Sequence, residues 1–254
     1  MPSPLPATIA IAVADELTRL VTTAHVFADK NDLRVRRLAS EIDKLIKVDA
    51  KVGHLAKACL FQLYGDAESM RYHVSCAAKL WSDSAVDSVF GRCLTNLGFF
   101  SEAQVACSLA AEPRRGSFTT NIATCLYCGA VVAMGRLTDQ ARIMGFDTAI
   151  AEVGIAGEVR AILERVGIED EEIGRILDVA GELMREQGLF YQDVGPQIFC
   201  VDDADLGGGC VYYTFALSAT PERVTELQFE LACRLVDRFP VLPAAFSVGF
   251  RCAQ

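Results

Sequence analysis

Three aspartates followed by three glycines give the segment 202–209 the most metal-like chemistry in this sequence. Asp202, Asp203 and Asp205 place carboxylates beside flexible backbone, and carboxylate oxygens are ligands that Ca²⁺ and Mg²⁺ prefer. The segment lacks the spacing of an EF-hand loop and its distal glutamate. A solvent-exposed hairpin loop accounts for the same residues and is the interpretation we favour. We therefore expect no cofactor and no metal, with these aspartates as the candidate ligands if a metal does bind.

The other residues that could carry chemistry lack the partners that the chemistry needs. Cys125 and Cys128 form one CxxC pair, whereas a structural zinc site needs four ligands and a thioredoxin-like pair opens a helix after a strand. This pair lies inside an apolar helical run, so we interpret both residues as core thiols. His25, His54 and His73 have no HExxH spacing, and no P-loop, GxSxG or dinucleotide motif stands in its required context. An enzyme is therefore the least favoured class of function.

Charge and hydropathy argue against two classes of partner. The chain has 33 acidic and 24 basic residues and a net charge of −9, which opposes binding to nucleic-acid phosphates. No apolar run reaches the roughly 20 residues of a membrane span, and the short apolar stretch 8–14 is expected to belong to a buried first helix. Ten cysteines scattered among apolar neighbours, without an export signal, indicate free thiols in a reducing compartment. We expect a cytoplasmic protein that binds neither nucleic acid nor membranes.

Glycines recur at intervals typical of a helical repeat. Gly65, Gly98 and Gly135 each lie between two segments of helical periodicity, and they are 33 and 37 residues apart. A tight turn between antiparallel helices needs a small residue that can adopt a positive φ angle. The spacing therefore predicts three helix–turn–helix units with a turn at each of these glycines. A more degenerate helix pair, at about 7–27 and 33–46, precedes them.

The unit at 84–112 resembles a tetratricopeptide repeat (TPR) in detail. Small, large apolar, turn and aromatic residues occupy the positions that the family uses, and a proline follows the second helix: Gly91, Leu94, Gly98, Phe100, Ala103, Cys107, Ala110 and Pro113. The unit at 51–79 matches less well, because Met70 replaces a small residue, and the unit from Asn121 is shifted by one residue. The resemblance covers about 15–145 and implies an array of antiparallel helix hairpins. An ordinary helical bundle is the alternative.

The resemblance also implies a concave groove, lined by the first helix of each hairpin, that receives an extended peptide or a helix of a partner protein. The side chains that this register directs into the groove come from two successive units: Leu55, Cys59, Gln62, Ser88, Arg92, Thr95 and Asn96. Arg92 and Asn96 could hold the partner's backbone or a carboxylate by charge-assisted hydrogen bonds. The repeated Lys, Asn and Arg set that clamps a C-terminal carboxylate in this family does not occur, so such capture is not implied.

After residue 145 the sequence changes from helix pairs to a mixture of helices and strands. Short segments rich in apolar, aromatic and β-branched residues predict strands at 198–201, Cys210–Leu217 and Phe246–Cys252. Helical patterns precede the first strand and separate the second from the third. The predicted order is therefore helix, strand, strand, helix, strand.

The predicted fold class is α+β. Residues 1–145 are expected to form the TPR-like array, and residues 146–254 a small α/β domain with a mostly antiparallel sheet. Alternatively, residues 146–190 are capping helices of the array, because repeat arrays generally need a terminal cap.

These features favour a non-enzymatic protein–protein interaction module of adaptor, chaperone-like or toxin-neutralising type. The expected partner is another protein bound in the groove, and the acidic composition favours a basic one. The strand Phe246–Cys252 could also form a homo-oligomer by strand addition at a sheet edge. The alternative is a small-ligand or metal-sensing regulator that uses the C-terminal domain and its 202–209 loop.

Overall fold

The fold is α+β, as predicted. The computed structural model describes residues 6–80, 84–109, 118–149, 151–201 and 209–253, which contain eleven helices and three strands. The helices are α1 Pro6–Thr23, α2 Leu33–Val48, α3 Ala50–Leu63, α4 Ala67–Leu80, α5 Ser84–Asn96, α6 Phe100–Leu109, α7 Phe118–Tyr127, α8 Val131–Ile143, α9 Ala151–Val166, α10 Asp170–Glu186 and α11 Pro221–Arg238. The strands are β1 Tyr191–Val201, β2 Cys210–Leu217 and β3 Phe246–Cys252.

Helices α1 to α8 stack as a helical repeat array, and α9 packs against α7 and α8. Each of α1, α3, α5 and α7 packs against the helix that follows it and also against the next odd-numbered helix. The turns after α3, α5 and α7 contain Gly65, Gly98 and Gly129, whose φ angles of 70°, 72° and 75° are left-handed. A left-handed residue after a helix favours glycine, because a Cβ atom there meets the backbone.

The prediction of a turn at Gly135 is wrong. Gly135 lies inside α8, where a Cβ atom would meet the guanidinium of Arg160, so its small size serves helix packing. The turn lies six residues earlier, at Gly129. The sequence pattern does not distinguish the two positions, because Gly129 and Gly135 both follow apolar helical segments. Only the backbone conformation shows that Gly129 forms a turn and that Gly135 allows close helix packing.

The C-terminal elements follow the predicted order, but the sheet is mixed. Its strand order is β1-β2-β3, with β1 antiparallel and β3 parallel to β2. The parallel pair arises because α11 connects β2 to β3 as a crossover, and a parallel neighbour requires such a connection. β1 begins seven residues before the predicted strand and contains a register shift between Gln192 and Gln197. Pro196 falls within that irregularity, which is where an edge strand tolerates proline.

Helix α10 lies across the turns of two hairpins and forms hydrogen bonds with the backbone groups at the ends of their helices. The Asp178 carboxylate accepts hydrogen bonds from the N–H groups of Phe100 and Ser101 at the start of α6, at 2.6 and 3.2 Å. The Arg185 guanidinium donates to the carbonyls of Leu97 and Gly98 at the end of α5. At its other end, the Asp170 carboxylate accepts from the backbone at the start of α8. Terminal helix groups have no intrahelical partner, so these contacts tie α10 to the array.

Core packing also joins the array to the sheet. One buried cluster includes side chains from α3 through β3, and a smaller cluster joins α1, α2 and α3. The Tyr213 hydroxyl of β2 donates to the Leu126 carbonyl of α7 at 2.8 Å, and the rings of Phe215 and Phe100 are 5.5 Å apart. The division of the chain at residue 145, and the alternative of capping helices at 146–190, stay predictions.

Two glycine substitutions distinguish the effect of a tertiary contact on stability from the effect of helix propensity. A methyl group on Gly181 of α10 would overlap the backbone of Gly98, so Gly181→Ala should lower the free energy of unfolding by about 3 kcal/mol or more. Gly157 is exposed in α9 and has no neighbour within 4 Å of such a group, so Gly157→Ala should raise stability by about 0.5–1 kcal/mol. Urea unfolding of both variants measures the difference. Equal effects of the two substitutions would contradict the close approach of α10 to this turn.

Candidate functional site

Helical spacing places a stripe of α3 side chains on the face that looks toward α1 and α5. Val52, Leu55, Cys59 and Gln62 recur every three or four residues, so they lie above one another along the helix. The Asp49 carboxylate starts α3 by accepting the N–H of Val52 at 3.1 Å, which fixes where this stripe begins. The stripe changes from apolar to polar toward the end of the helix.

A pocket of about 360 Å³ lies between this stripe and the neighbouring helices. Its walls are the inner faces of α1, α3 and α5, with a contribution from α2, and Phe190 contributes from the segment before β1. Most of the lining is apolar, which is typical of sites for small molecules or for single anchoring side chains. The residues that line it are Ala10, Val13, Ala14, Leu17, Thr18, Val21, Thr22, Leu45, Val52, Leu55, Ala56, Cys59, Gln62, Val89, Arg92, Asn96 and Phe190.

Five of the seven residues expected in the groove line this pocket. They are Leu55, Cys59, Gln62, Arg92 and Asn96. Thr95 instead is buried, with its hydroxyl donating to the Gly91 carbonyl at 2.9 Å, and Ser88 lies beside a separate void of about 10 Å³. The stripe of α5 that lines the pocket is Val89, Arg92 and Asn96, and the other two residues lie on the adjacent stripe.

Among the described residues that line the pocket, Arg92 is the only Lys, Arg, Asp or Glu. Its side chain is exposed, and its guanidinium lies near the Cys59 sulfur on the neighbouring helix. The Cys59 sulfur also lies 4.0 Å from that of Cys93, which is fully buried behind it. The hydrogen bond with Cys93 and then the positive charge and hydrogen bond of Arg92 lower the pKa of Cys59 to about 6, against the opposing effect of burial. A thiol with this pKa is largely ionised near neutral pH.

Gln62 brings a buried amide to the pocket. The residue is 1% exposed, and its Nε2 atom has no hydrogen-bond partner among the described residues. A buried amide N–H without a partner costs about 1–3 kcal/mol, so such groups are uncommon in native structures. Because Gln62 also lines the pocket, its amide is a candidate donor for a molecule bound there.

The C-terminal part of the chain limits the length of the groove. The Phe190 N–H donates to the His25 carbonyl at 3.0 Å, and the Phe27 N–H donates to the Gly188 carbonyl at 2.9 Å. This short antiparallel contact joins the α1–α2 connection to the segment before β1, and β1 itself contacts α1, α7 and α9. β1 thus covers parts of α1, α7 and α9, and the pocket leaves the inner face open between α1, α3 and α5.

Two parts of the site were not predicted from the sequence. Phe190 lies more than 90 residues along the chain from Asn96, and nothing in its local pattern marks it as a pocket residue. The contribution of α1 could have been found, because an extra helix pair was expected before Gly65 and its first helix would line the same face. The apolar residues Val13 and Leu17 of α1 are the signal for it.

The remaining chemical candidates within the described part of the chain do not form a metal site. Cys125 and Cys128 are buried, as interpreted, and the Cys128 sulfur is 3.9 Å from that of Cys107. Hydrogen bonds with the thiols of Cys125 and Cys128 lower the pKa of Cys107 to about 5. Among the residues that the structure describes, no three His, Cys, Asp or Glu side chains are arranged to hold a metal ion, and all ten cysteines are free. The aspartates of 202–209 lie outside the described residues.

The histidine pair of the array lies apart from the pocket. The Nδ1 atoms of His54 and His73 are 2.9 Å apart, with the Phe61 ring stacked on His73. Burial and then the neighbouring His54 lower the pKa of His73. This pair therefore packs α3 against α4.

Comparisons with known proteins identify no match, so the functional argument rests on the geometry of the site. No protein-family model matches the chain, and neither the curated proteins nor the solved structures yield a significant match. Within the described ranges, no helix combines the length and the apolar character needed to cross a lipid bilayer.

The acidity of Cys59 can be measured by its rate of alkylation. We expect the rate of iodoacetamide modification, followed by peptide mass spectrometry from roughly pH 5 to 9, to rise with a midpoint near 6. Cys93→Ala removes the hydrogen-bond donor and should raise the midpoint, whereas Cys93→Ser keeps a donor and should leave it low. Cys200, whose pKa burial raises to about 11, is an internal comparison in the same digest. A midpoint that is the same in both Cys93 variants would contradict this account.

Proposed function

We propose that this protein is a non-enzymatic protein–protein interaction module built on a TPR-like array. The observation that carries the proposal is that five of the seven residues expected in a TPR groove from the sequence line one pocket on the inner faces of α1, α3 and α5. The stacking of alternate helices and the left-handed turns at Gly65 and Gly98 support the TPR-like description. So do Phe100 and Ala103, which are fully buried at the aromatic and small positions of the best unit.

The pocket suits the anchoring of one or two apolar side chains of a partner. β1 covers the inner face at α7 and α9, so a long extended peptide has no continuous groove, whereas a protruding side chain can enter between α1 and α3. Arg92 and Asn96 would bind polar groups of the partner beside that anchor. The net charge of −9 favours a basic partner, by complementarity over the wider surface. Adaptor, chaperone-like and toxin-neutralising roles all fit this mode, and ten free cysteines support a cytoplasmic location.

Self-association through β3 is a further part of the proposal. β3 lies at an edge of the described sheet, and an exposed edge can accept another strand. The Phe250 N–H is already bonded to the side chain of Gln228 at 2.7 Å, so a second copy would pair beside this contact or displace it.

A small-ligand regulator is the second candidate, and the shape of the pocket favours it. Walls from three helices and Phe190 surround a volume of about 360 Å³, which is within the range of small-molecule sites. In this candidate function the ligand binds in the array rather than in the C-terminal loop at 202–209. No described feature favours a metal sensor.

A charge reversal at the pocket tests the interaction role. Affinity capture from native lysate with quantitative mass spectrometry should recover a stoichiometric partner, and Arg92→Glu combined with Asn96→Ala should reduce it by at least about tenfold. Arg136→Glu, on an exposed position of α8 outside the pocket, is the matched control and should keep the partner. Equal recovery by all three proteins, with thermal unfolding unchanged, would overturn the pocket as the binding surface.

A further inference from the structure

The pocket has two chemically different ends. Along α3, Val52 and Leu55 come first and Gln62 comes last, and along α5, Val89 precedes Arg92 and Asn96. The polar ends of both stripes line the same pocket, and Arg92 lies close enough to Cys59, one turn before Gln62, for its charge to lower the pKa of that thiol. The other end is walled by apolar residues of α1 and α2. A ligand that matches this arrangement has an apolar chain and a polar head.

The polar end is suited to an anionic acceptor. Gln62 offers an N–H donor that no described residue satisfies, and Gln62 is almost completely buried. Arg92 supplies a positive charge, which the ionised Cys59 thiol beside it offsets in part, and no Asp or Glu is among the described residues that line the pocket, although the chain as a whole is acidic. A carboxylate accepts from both an amide and a guanidinium, and hydrogen bonds that involve charged groups are about twice as strong as neutral ones.

We propose that this pocket binds a small amphiphile with an unbranched apolar chain and a terminal carboxylate. The chain lies between α1 and α3, against Val13, Leu17 and Leu55, and the carboxylate accepts hydrogen bonds from Gln62 and Arg92. This inference develops the small-ligand candidate and does not require a protein partner. One amide donor and one cation match a singly charged carboxylate better than a phosphate dianion with three acceptor oxygens.

Titration calorimetry with sodium decanoate tests the proposal on the full-length protein. We expect binding with one site per chain and a much weaker response to butyrate, which has the head group without the long chain. Decanol, which has the chain without the charge, should bind at least about tenfold more weakly than decanoate. Affinity for decanoate should fall as salt concentration rises, because Arg92 is exposed to solvent.

Three variants assign the binding to this pocket. Gln62→Met removes the donor at similar volume and should weaken decanoate binding by about tenfold, while raising the melting temperature of the unliganded protein. Arg92→Gln should also weaken binding about tenfold and remove most of its salt dependence. Ala14→Phe, on an exposed position of α1 that lines the pocket, fills the apolar end and should abolish binding. The opposite signs for stability and affinity in Gln62→Met distinguish loss of a ligand contact from damage to the fold.

The proposal fails if decanoate does not bind, or if Gln62→Met and Ala14→Phe bind it as tightly as the unmodified chain does. If decanoate fails to bind while a protein partner is still lost on reversal of Arg92, the ligand class is wrong and the interaction role stands. If decanoate binds as described and no partner is captured, the interaction role fails and this pocket is a small-ligand site.

Discussion

The close approach of α10 to the turn between α5 and α6 is the contact on which the rest of the structure depends. Two glycines make it possible, since a Cβ atom on either Gly98 or Gly181 would overlap the backbone of the other. Around this point Asp178 accepts from the first N–H groups of α6, and Arg185 donates to the last carbonyls of α5, with its guanidinium 3.8 Å from the centre of the Phe99 ring. Both ends of one turn are therefore satisfied by one helix, and α5 is held in position by groups distant in sequence.

The shape of the pocket depends on the contact between α10 and the turn that joins α5 to α6. α5 carries Arg92 at one wall, and the chain that leaves α10 pairs with the α1–α2 connection through Gly188 and Phe190 before it enters β1. α1 is thereby joined at its C-terminal side to the C-terminal half of the chain as well as to α2 and α3. The array alone would give an inner face that is accessible along its length. The C-terminal elements convert it into a short pocket with an apolar and a polar end.

Local patterns predicted the helices and the first two turns, because helical periodicity and turn glycines are properties of short segments. By the same periodicity the α3 residues Leu55 and Gln62 are expected to face the groove, and both line the pocket. What the sequence could not give depends on contacts between distant segments. Gly135 serves packing against another helix rather than a turn, Phe190 reaches the pocket from a different part of the chain, and the parallel pairing of β3 depends on where α11 packs. The binding role of these residues stays a proposal.

A crystal structure of the protein grown with decanoate tests the central claim, that the inner faces of α1, α3 and α5 form a ligand site, most directly. The expected result is electron density for the chain between α1 and α3, with a carboxylate oxygen within hydrogen-bonding distance of Gln62 Nε2 and with Gly181 still against Gly98. Density for the ligand elsewhere, or α1 side chains filling this volume with Gln62 bonded to another protein group, would contradict it.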